Sequence, residues 1–351
     1  MTNPLIYDYD YPELAARVKS WGVPKYRAEQ VWDGLYKNLW LTPDEFTNLP
    51  KDLREKMSSL LEFNILKPIE YQESSDGDTR KTLFELHDGR RIETVLMHYE
   101  DEGRRDRNTV CISTQVGCGM GCTFCATGQM GFKRHLSTGE IMAQVLYFAR
   151  KLQDEGDKLT NVVVMGMGEP FHNYEATMGA IDRLNDPFGF NFGARRFTVS
   201  TVGLVPLIRK FADEKRQVNL AISLHASNND VRASMLPINN KYPVAELLEA
   251  CRYYVDQTHR RVTFEWALIE GVNDTPEQAF TLARKVKGLL CHVNAIPLNP
   301  TQGFQGRGTR KDRATIFKET LEQAGVSCTI RAHRGIDIQA GCGQLASREE
   351  K

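Results

Sequence analysis

The chain has 351 residues, of which 41% are hydrophobic and 26% charged. This composition excludes disordered, collagen-like and membrane-spanning classes and favours a globular protein of one large domain or two compact ones. Lys plus Arg and Asp plus Glu number 45 each. A nucleic-acid partner would therefore have to bind a local basic surface and not a global positive field.

The first residues carry no basic segment followed by an apolar run, and no stretch approaches the roughly twenty apolar residues that span a bilayer. We therefore expect a cytoplasmic protein with no membrane partner. The eight cysteines are too sparse for a disulfide scaffold in a chain of this length, so they indicate a metal site or catalysis.

The amino-terminal part predicts helices. Apolar residues recur at three- and four-residue spacing in YPELAARVKSW, RAEQVWDGLY and PDEFTNLPKDLREKMSSLLEF, with Pro at the breaks. We expect a small helical domain over residues 1–62. The stretch RKTLFELHDGRRIETVLMHY then holds two alternating runs joined at Asp88-Gly89, which predicts a β-hairpin within a linker over residues 63–100.

The rest of the chain predicts an α/β domain. Six short β-rich runs alternate with helical segments: TVCISTQ, NVVVMGM, RFTVST, NLAISLH, VTFEWALI and HVNAIPL. This alternation predicts a parallel sheet with crossover helices, a partial (β/α)6 barrel over residues 101–335 followed by a tail over 336–351. SCTIRA at 327–332 is a candidate seventh strand. Ligands in such sheets gather at the carboxyl ends of the strands.

Three cysteines follow the first of these strands. Cys118, Cys122 and Cys125 form a C-x3-C-x2-C pattern in GCGMGCTFCATG. No fourth cysteine completes a structural zinc site, whereas three thiolates can hold a 4Fe-4S cluster and leave one iron open for a ligand. Zinc with His135 as its fourth ligand is a weaker alternative.

Polar residues and glycines also follow the later strands. Gly166, Gly168 and Glu169 in MGMGEP allow a close backbone approach and offer a carboxylate to an ammonium group. Ser200, the run from Ser223 to His225, and Asn299 end three further strands, although each is equally suited to a helix cap or turn.

The cysteine pattern, with Phe124 between the second and third cysteines and GMGEP after it, resembles the radical S-adenosylmethionine (SAM) superfamily. The resemblance implies that the open iron binds SAM and that an electron from the cluster cleaves SAM to a 5′-deoxyadenosyl radical. It also implies a set of SAM-binding residues at the strand ends: Gly168, Glu169, Ser200, Ser223, Leu224, His225 and Asn299.

A narrower resemblance covers nearly the whole chain. IETV, C-x6-C-x3-C-x2-C, GMGEP, SLHA and the terminal CGQL resemble the RlmN/Cfr family of adenosine methyltransferases, and GVPKYRAEQVWDGLY with TNLPKDLR resembles that family's RNA-contacting domain. RAHRGIDIQAGCGQL is more similar to the RlmN branch, although Ile336 and Gly341 depart from its usual residues. The resemblance implies methylation at carbon 2 of an adenosine in 23S rRNA near the peptidyl transferase centre and of an adenosine beside the tRNA anticodon. Carbon 8 of the same ribosomal adenosine, which would confer antibiotic resistance, is the alternative.

The mechanism implied by the resemblance uses three further residues. Cys342 takes a methyl group from one SAM, the radical from a second SAM removes hydrogen from that methyl, and the carbon adds to adenine. Glu93 then removes the ring proton, and Cys111 attacks Cys342, forming a transient disulfide that releases the RNA. Without the resemblance, Glu93 is better interpreted as a solvated hairpin charge, and both cysteines as small buried residues, as we interpret Cys251, Cys291 and Cys328.

A local cluster of basic residues is the feature of the sequence that favours RNA binding. Between 302 and 335, seven basic residues face three acidic ones, Asp312, Glu319 and Glu322. The basic residues are Arg307, Arg310, Lys311, Arg313, Lys318, Arg331 and Arg334. Lys25, Arg27, Arg80 and Lys81 are candidates for the same surface, and a solvated helix face is an equally good interpretation. We further expect a monomer and an electron donor such as flavodoxin or ferredoxin; a non-enzymatic RNA-binding protein with structural zinc is the alternative of a different class.

Overall fold

The computed structural model describes residues 3–63, 65–100, 106–331 and 334–346. Parts of the sequence predictions lie outside these residues: residues 1–2 of the helical domain, residue 64 of the linker, residues 101–105 and 332–333 of the barrel domain, and residues 347–351 of the tail.

Helices form the amino-terminal region, as predicted: α1 (Tyr11–Lys19), α2 (Tyr26–Tyr36) and α3 (Lys51–Leu60). Asp10 starts α1 with a capping box, in which its carboxylate accepts the Glu13 N–H and the Glu13 carboxylate accepts the Asp10 N–H. Only the second half of PDEFTNLPKDLREKMSSLLEF is α-helical, because Pro50 stands directly before α3. The apolar faces of these helices join the same hydrophobic core as the barrel.

Ten strands form one sheet in the order β1-β2-β3-β4-β7-β8-β9-β10-β11-β12. Their bounds are β1 Lys67–Glu73, β2 Thr79–Glu85, β3 Arg91–Tyr99, β4 Arg107–Cys111, β7 Asn161–Val164, β8 Phe197–Thr201, β9 Asn219–Ser223, β10 Val262–Leu268, β11 Cys291–Pro297 and β12 Cys328–Ile330. Seven neighbouring strands of this sheet run parallel to one another: β4, β7, β8, β9, β10, β11 and β12. Within the described residues, β1 and β12 do not pair with each other, so the barrel is open.

Helices connect the parallel strands and cover the sheet. They are α5 Thr138–Asp154, α6 Tyr174–Asn185, α7 Val205–Asp213, α8 Asn229–Met235, α9 Val244–Thr258, α10 Pro276–Lys285 and α11 Lys311–Gln323. The predicted partial barrel is therefore confirmed, and SCTIRA does contribute a seventh parallel strand, β12, beside β11. None of the helices in the described part of the chain is long and apolar enough to cross a bilayer.

The predicted hairpin is also present and turns at Asp88-Gly89, where Gly89 has a φ of 76°. Its strands β2 and β3 belong to the barrel sheet, because β3 pairs antiparallel with β4. The sequence did not indicate β1, which pairs with β2 at the sheet edge.

The cysteine loop, residues 118–125, leaves the main sheet. The predicted strand TVCISTQ ends at Cys111, and a separate two-stranded sheet follows, formed by β5 (Gln115–Gly117) and β6 (Phe132–His135). The loop and the short helix α4 (Ala126–Gln129) connect these two strands. This small sheet therefore holds both ends of the cysteine loop over the carboxyl ends of the parallel strands.

Candidate active site

The cysteine loop is fixed by backbone hydrogen bonds from three directions. The Cys118 N–H donates to the Gly131 carbonyl (3.1 Å), the Thr123 N–H to the Met235 carbonyl at the end of α8 (2.9 Å), and the Ala126 N–H, just after the loop, to the Gly343 carbonyl (2.8 Å). The last contact joins the loop to the tail, by which we mean residues 334–346 in the structure.

A cavity of about 170 Å³ lies beneath the loop. Most of the predicted site residues line it, namely Cys118, Cys122, Cys125, Gly166, Gly168, Glu169, Ser200, Ser223, His225, Asn299 and Cys342. Phe124 also lines it. The strand ends therefore bring together residues that are more than 200 positions apart in the sequence.

The three cysteines suit a bound iron–sulfur cluster. Burial raises the pKa of Cys118 to about 12 and that of Cys122 well above its usual range, and the negative charge that a neighbouring cysteine would carry as a thiolate adds to both shifts. A cysteine that coordinates a metal cation is deprotonated, so a bound iron–sulfur core would stabilise these cysteines as thiolates. His135 does not line this cavity, and its ring is instead hydrogen-bonded to Gln115 (3.1 Å).

The segment after β7 approaches the cavity through glycine. Gly168 has a φ of 104°, and a Cβ atom there would lie 2.6 Å from Cβ of Gln115, so only glycine fits. Glu169 is buried, and its carboxylate accepts the N–H groups of Phe171 (2.9 Å) and Val202 (2.8 Å). Burial raises the pKa of Glu169 to about 7.

The later strand ends contribute hydroxyl, imidazole and amide groups. Ser200 Oγ and Ser223 Oγ lie 3.4 Å apart. His225 Nδ1 accepts the Ala267 N–H (2.9 Å), and burial lowers the pKa of this imidazole to about 3, so it is neutral. The Leu224 side chain does not line the cavity, because it is fully buried in the hydrophobic core.

Cys342 stands between two cavities. It lines the first one beneath the cysteine loop and also a second cavity of about 370 Å³, which Cys111 lines from β4. Cys342 as a residue is exposed, although neighbouring protein atoms partly desolvate its thiol, whereas Cys111 is buried. The two thiols interact electrostatically. Asn299 Nδ2 donates to the Cys342 carbonyl (3.1 Å) and fixes this part of the tail.

Glu93 is not a solvated hairpin charge. Its side chain is buried, forms an ion pair with Lys81 (2.9 Å), and accepts the Ala346 N–H of the tail (2.7 Å). Burial raises the pKa of Glu93, and Lys81 opposes that shift. Glu93 and Lys81 line a third cavity of about 400 Å³ together with Gln344 of the tail.

The sequence analysis did not select Glu265 and named Arg331 only as a candidate for the basic surface, yet both residues lie at the site. Glu265 of β10 is buried in the first cavity, where it accepts a hydrogen bond from Asn294 (2.7 Å), and burial raises its pKa to about 7. Arg331 lines the second cavity, and its positive charge interacts with the thiols of both Cys111 and Cys342. The sequence did contain a feature that could have identified both residues: a charged residue stands in or directly after an apolar strand run, VTFEWALI and SCTIRA. Charged residues are seldom buried without a partner, so a charge at such a position suggests a functional site.

The proposed basic surface is smaller than the sequence indicated. Lys81 is buried against Glu93, which removes it from any surface, and Arg80 pairs with Glu155 (2.7 Å). Arg334 pairs with Asp78 (2.6 Å). Several other basic residues have acidic partners: Arg310 with Asp312, Arg313 with Asp274 and Lys318 with Glu322. Lys25, Arg307 and Lys311 remain exposed.

Comparison with known proteins identifies the family. The profile of the radical SAM superfamily matches residues 112–283, and that of the ribosomal RNA large subunit methyltransferase N-terminal domain matches residues 5–63. The dual-specificity RNA methyltransferase RlmN 1 of Myxococcus xanthus is 47% identical, with 100% of this chain and 96% of that protein covered. The probable dual-specificity RNA methyltransferase RlmN of Chloroflexus aurantiacus is 46% identical, with 99% and 94% covered.

A solved structure agrees with these relatives. The crystal structure of a radical SAM methyltransferase from Sphaerobacter thermophilus is 50% identical and superposes with a TM-score of 0.94, with 97% of this chain and 99% of that chain covered. A 4Fe-4S cluster and SAM are the cofactors that membership of the superfamily brings. The chain belongs to the RlmN family of radical SAM RNA methyltransferases.

Proposed function

We propose that this enzyme methylates carbon 2 of an adenosine in 23S rRNA near the peptidyl transferase centre and of an adenosine next to the tRNA anticodon. The observation that carries the proposal is the position of Cys342, whose side chain faces both the cavity beneath the cysteine loop and the cavity that contains Cys111. A cysteine in this position can receive a methyl group on one side and deliver it to a base on the other. Carbon 2 of adenine is electron-poor, so direct displacement on the SAM methyl by that carbon is unfavourable.

The first cavity is the proposed cofactor site. Cys118, Cys122 and Cys125 would hold the 4Fe-4S cluster, which when bound supplies the electron for reductive cleavage of SAM. SAM would lie against the strand-end residues Gly168, Glu169, Ser200, Ser223, His225 and Asn299. Leu224 would take part through its main chain, because its side chain is in the core.

Cys342 would act as the methyl carrier. Its attack on a methyl group needs the thiolate form. Desolvation of the Cys342 thiol, which lines the two cavities, raises its pKa, and the Arg331 guanidinium opposes that shift. Arg331 therefore favours the reactive form of a thiol that its surroundings would otherwise keep protonated.

Glu93 and Cys111 would complete turnover. Glu93 has a raised pKa and a hydrogen bond to the tail four residues after Cys342, which are properties of a general base held near the carrier. Cys111, as a thiolate, would attack the sulfur of Cys342, so that a disulfide forms and the carbon–sulfur bond breaks; the carbon keeps the bonding electron pair and takes up a proton, which completes the methyl group of the product. An external reductant then restores both thiols.

The remaining assignments concern the cellular setting. RNA would contact the amino-terminal helical domain and exposed basic residues such as Lys25, Arg307 and Lys311. We propose a cytoplasmic monomer that receives electrons from a donor such as flavodoxin or ferredoxin. The domain division 1–62, 63–100, 101–335 and 336–351 remains part of the proposal, with the qualification that β2 and β3 share the barrel sheet.

The test is mass spectrometry of nucleosides from 23S rRNA and, separately, tRNA after anaerobic incubation with reconstituted protein, SAM and reductant. We expect 2-methyladenosine from both RNAs with the native chain and with the matched control Cys291→Ala, whose sulfur lies outside the described cavities. Formation of 8-methyladenosine would establish the carbon-8 alternative. Zinc in place of iron and sulfide, with no methylated nucleoside, would instead support the RNA-binding protein.

A further inference from the structure

A fully buried arginine belongs to α8, the helix whose end contacts the cysteine loop. Arg232 of α8 has no exposed surface. Its guanidinium donates hydrogen bonds to the carbonyl oxygens of Val202 (2.6 Å), Ser223 (3.3 Å) and Leu224 (3.1 Å) and to Oδ1 of Asn239 (3.3 Å). All four acceptors are uncharged, so they satisfy the donors without neutralising the positive charge.

No carboxylate in the described part of the chain forms an ion pair with Arg232; the buried carboxylate of Glu169 binds the N–H of Val202 and not the guanidinium. Among the described residues, the ionisable side chains that interact with the guanidinium as potential anions are the thiols of Cys122 and Cys251. Burial raises the pKa of Cys251 to about 12, so this thiol stays neutral. Burying an unpaired charge is strongly unfavourable, so a buried arginine with uncharged hydrogen-bond acceptors is suited to an anionic group bound at the neighbouring cysteine loop.

The helix that carries Arg232 packs on the cysteine loop. The Met235 carbonyl at its end accepts the Thr123 N–H (2.9 Å), and Met235 and Leu236 share a small hydrophobic cluster with Cys122 and Phe124. Two of the residues whose carbonyl groups bind the guanidinium, Val202 and Ser223, themselves line the cavity beneath the loop. Arg232 is thus held at the rear wall of the proposed cluster site.

We propose that Arg232 is the buried counter-charge of the cluster and that its positive charge raises the reduction potential of that cluster. The proposal rests on the assignment of Cys118, Cys122 and Cys125 as ligands. Three thiolates outweigh the positive charge of the iron–sulfur core, so the bound group is anionic, and one added electron makes it more so. In a water-poor interior, a fixed positive charge stabilises the reduced form more than the oxidised form.

Arg232 is a positioning residue in this account and not a catalytic one. Its hydrogen bonds tie together the ends of β8 and β9, so its removal would also disturb the cavity wall. A charge effect and a structural effect must therefore be separated by the choice of variants. Lysine keeps the charge but loses the planar set of donors, whereas methionine loses both.

The experiment is a redox titration of the reconstituted holoenzyme, followed by electron paramagnetic resonance, for the native chain, Arg232→Met and Arg232→Lys. We expect Arg232→Met to lower the equilibrium constant of one-electron reduction at least tenfold, a shift of about 59 mV to lower potential. On a logarithmic scale, Arg232→Lys should change that equilibrium constant by less than half as much as Arg232→Met does. Equal potentials in all three proteins, or equal shifts in the two variants, would overturn the counter-charge role.

A second variant covers the case in which Arg232→Met does not fold. Asn239→Asp keeps the side-chain shape and places a carboxylate against the guanidinium, so the potential should fall in the same direction. An unchanged potential in a folded Asn239→Asp protein would contradict the proposal. Iron and sulfide contents distinguish failure of the ligand assignment from failure of the counter-charge role. If the native protein binds no cluster, both the ligand assignment and this proposal are overturned. If the proteins contain full clusters but their potentials are unshifted, only the counter-charge role is overturned.

Discussion

The cysteine loop and the tail bring cysteines to the same cavity, but different kinds of contact position them. The loop holds three cysteines within eight residues, and a small two-stranded sheet fixes both of its ends. The tail holds Cys342 between two glycines and contains no helix or strand among its described residues. Local sequence therefore brings the three loop cysteines together, whereas only contacts with distant parts of the chain position Cys342.

The contacts of the tail show how an irregular segment can be held in one place. Thr127 Oγ1 donates to the Leu345 carbonyl (2.6 Å), and Gln344 Nε2 donates to the Pro300 carbonyl (3.0 Å). Near its start, Asp337 accepts the Ser75 N–H (2.8 Å). A nucleophile on such a segment is positioned by several weak hydrogen bonds, each worth about 0.5–1.5 kcal/mol, so its placement should be easier to disturb than that of the loop.

The largest effect is expected in the loop itself. Changing Cys118, Cys122 or Cys125 to alanine removes a thiolate ligand, so each variant should lose iron, SAM cleavage and RNA methylation together. Iron and sulfide analysis after anaerobic reconstitution measures this loss. Cys251→Ala, which removes a buried sulfur in α9, is the matched control and should retain the cluster. Full iron content in any of the three loop variants would contradict that ligand assignment.

Cys342→Ala should separate the tail from the loop. We expect this variant to bind the cluster and cleave SAM but to leave RNA unmethylated, because the methyl carrier is absent. Cluster content, release of 5′-deoxyadenosine and nucleoside mass spectrometry together measure the difference. Methylation above the enzyme-free background by Cys342→Ala would refute the role of this cysteine as carrier.

Cys111→Ala should stop the reaction one stage later. With no thiol to attack Cys342, the RNA should remain covalently attached to the protein, and gel electrophoresis under denaturing conditions would detect the adduct. The double variant Cys111→Ala/Cys342→Ala should form none. If Cys111→Ala releases methylated RNA at the native rate, Cys111 is not the resolving residue.

A smaller effect is expected for Glu93→Gln. Loss of a general base should slow turnover by about 10²–10⁴-fold. Because burial raises the pKa of Glu93, the native rate should fall as the pH drops through that raised value, at a higher pH than for an exposed glutamate. Single-turnover rates across the pH range measure both effects, and Glu93→Gln should lack this acid limb.

The Glu93→Gln variant needs a control for loss of folding stability, because the substitution leaves the buried Lys81 without its ion-pair partner. Breaking a buried ion pair in this way costs about 3–5 kcal/mol. The double variant Lys81→Met/Glu93→Gln removes both charges and should regain stability in urea unfolding without regaining activity. Recovery of activity in the double variant would show that the loss was structural.

The smallest effect is expected for Thr127→Val, which removes one hydrogen bond between α4 and the tail while keeping the side-chain shape. At about 1 kcal/mol for that bond, we expect about a fivefold loss of methylation with normal iron content. Limited proteolysis should cut the tail faster than in the native protein. An unchanged rate of both processes would mean that the other contacts hold the tail without this bond.

The sequence by itself determined the fold class and the position of the cysteine loop. The alternation of β-rich and helical runs is visible in the sequence itself. The structure has the open, parallel sheet that this alternation predicts, with seven parallel strands. The cysteine pattern is equally local, because all three residues lie on one loop. The strand-end rule then selected Gly168, Glu169, Ser200 and Asn299, since parallel strands end at one edge.

Only the tertiary structure decided the state of the charged residues and the position of the tail. Glu93 and Lys81 are both polar and lie in a hairpin, so nothing local distinguishes a buried pair from two solvated side chains. Arg232 was likewise not selected, because its burial depends on carbonyl groups from two other strand ends. Burial and ion pairing depend on which distant segments pack together, and that information is absent from residue spacing.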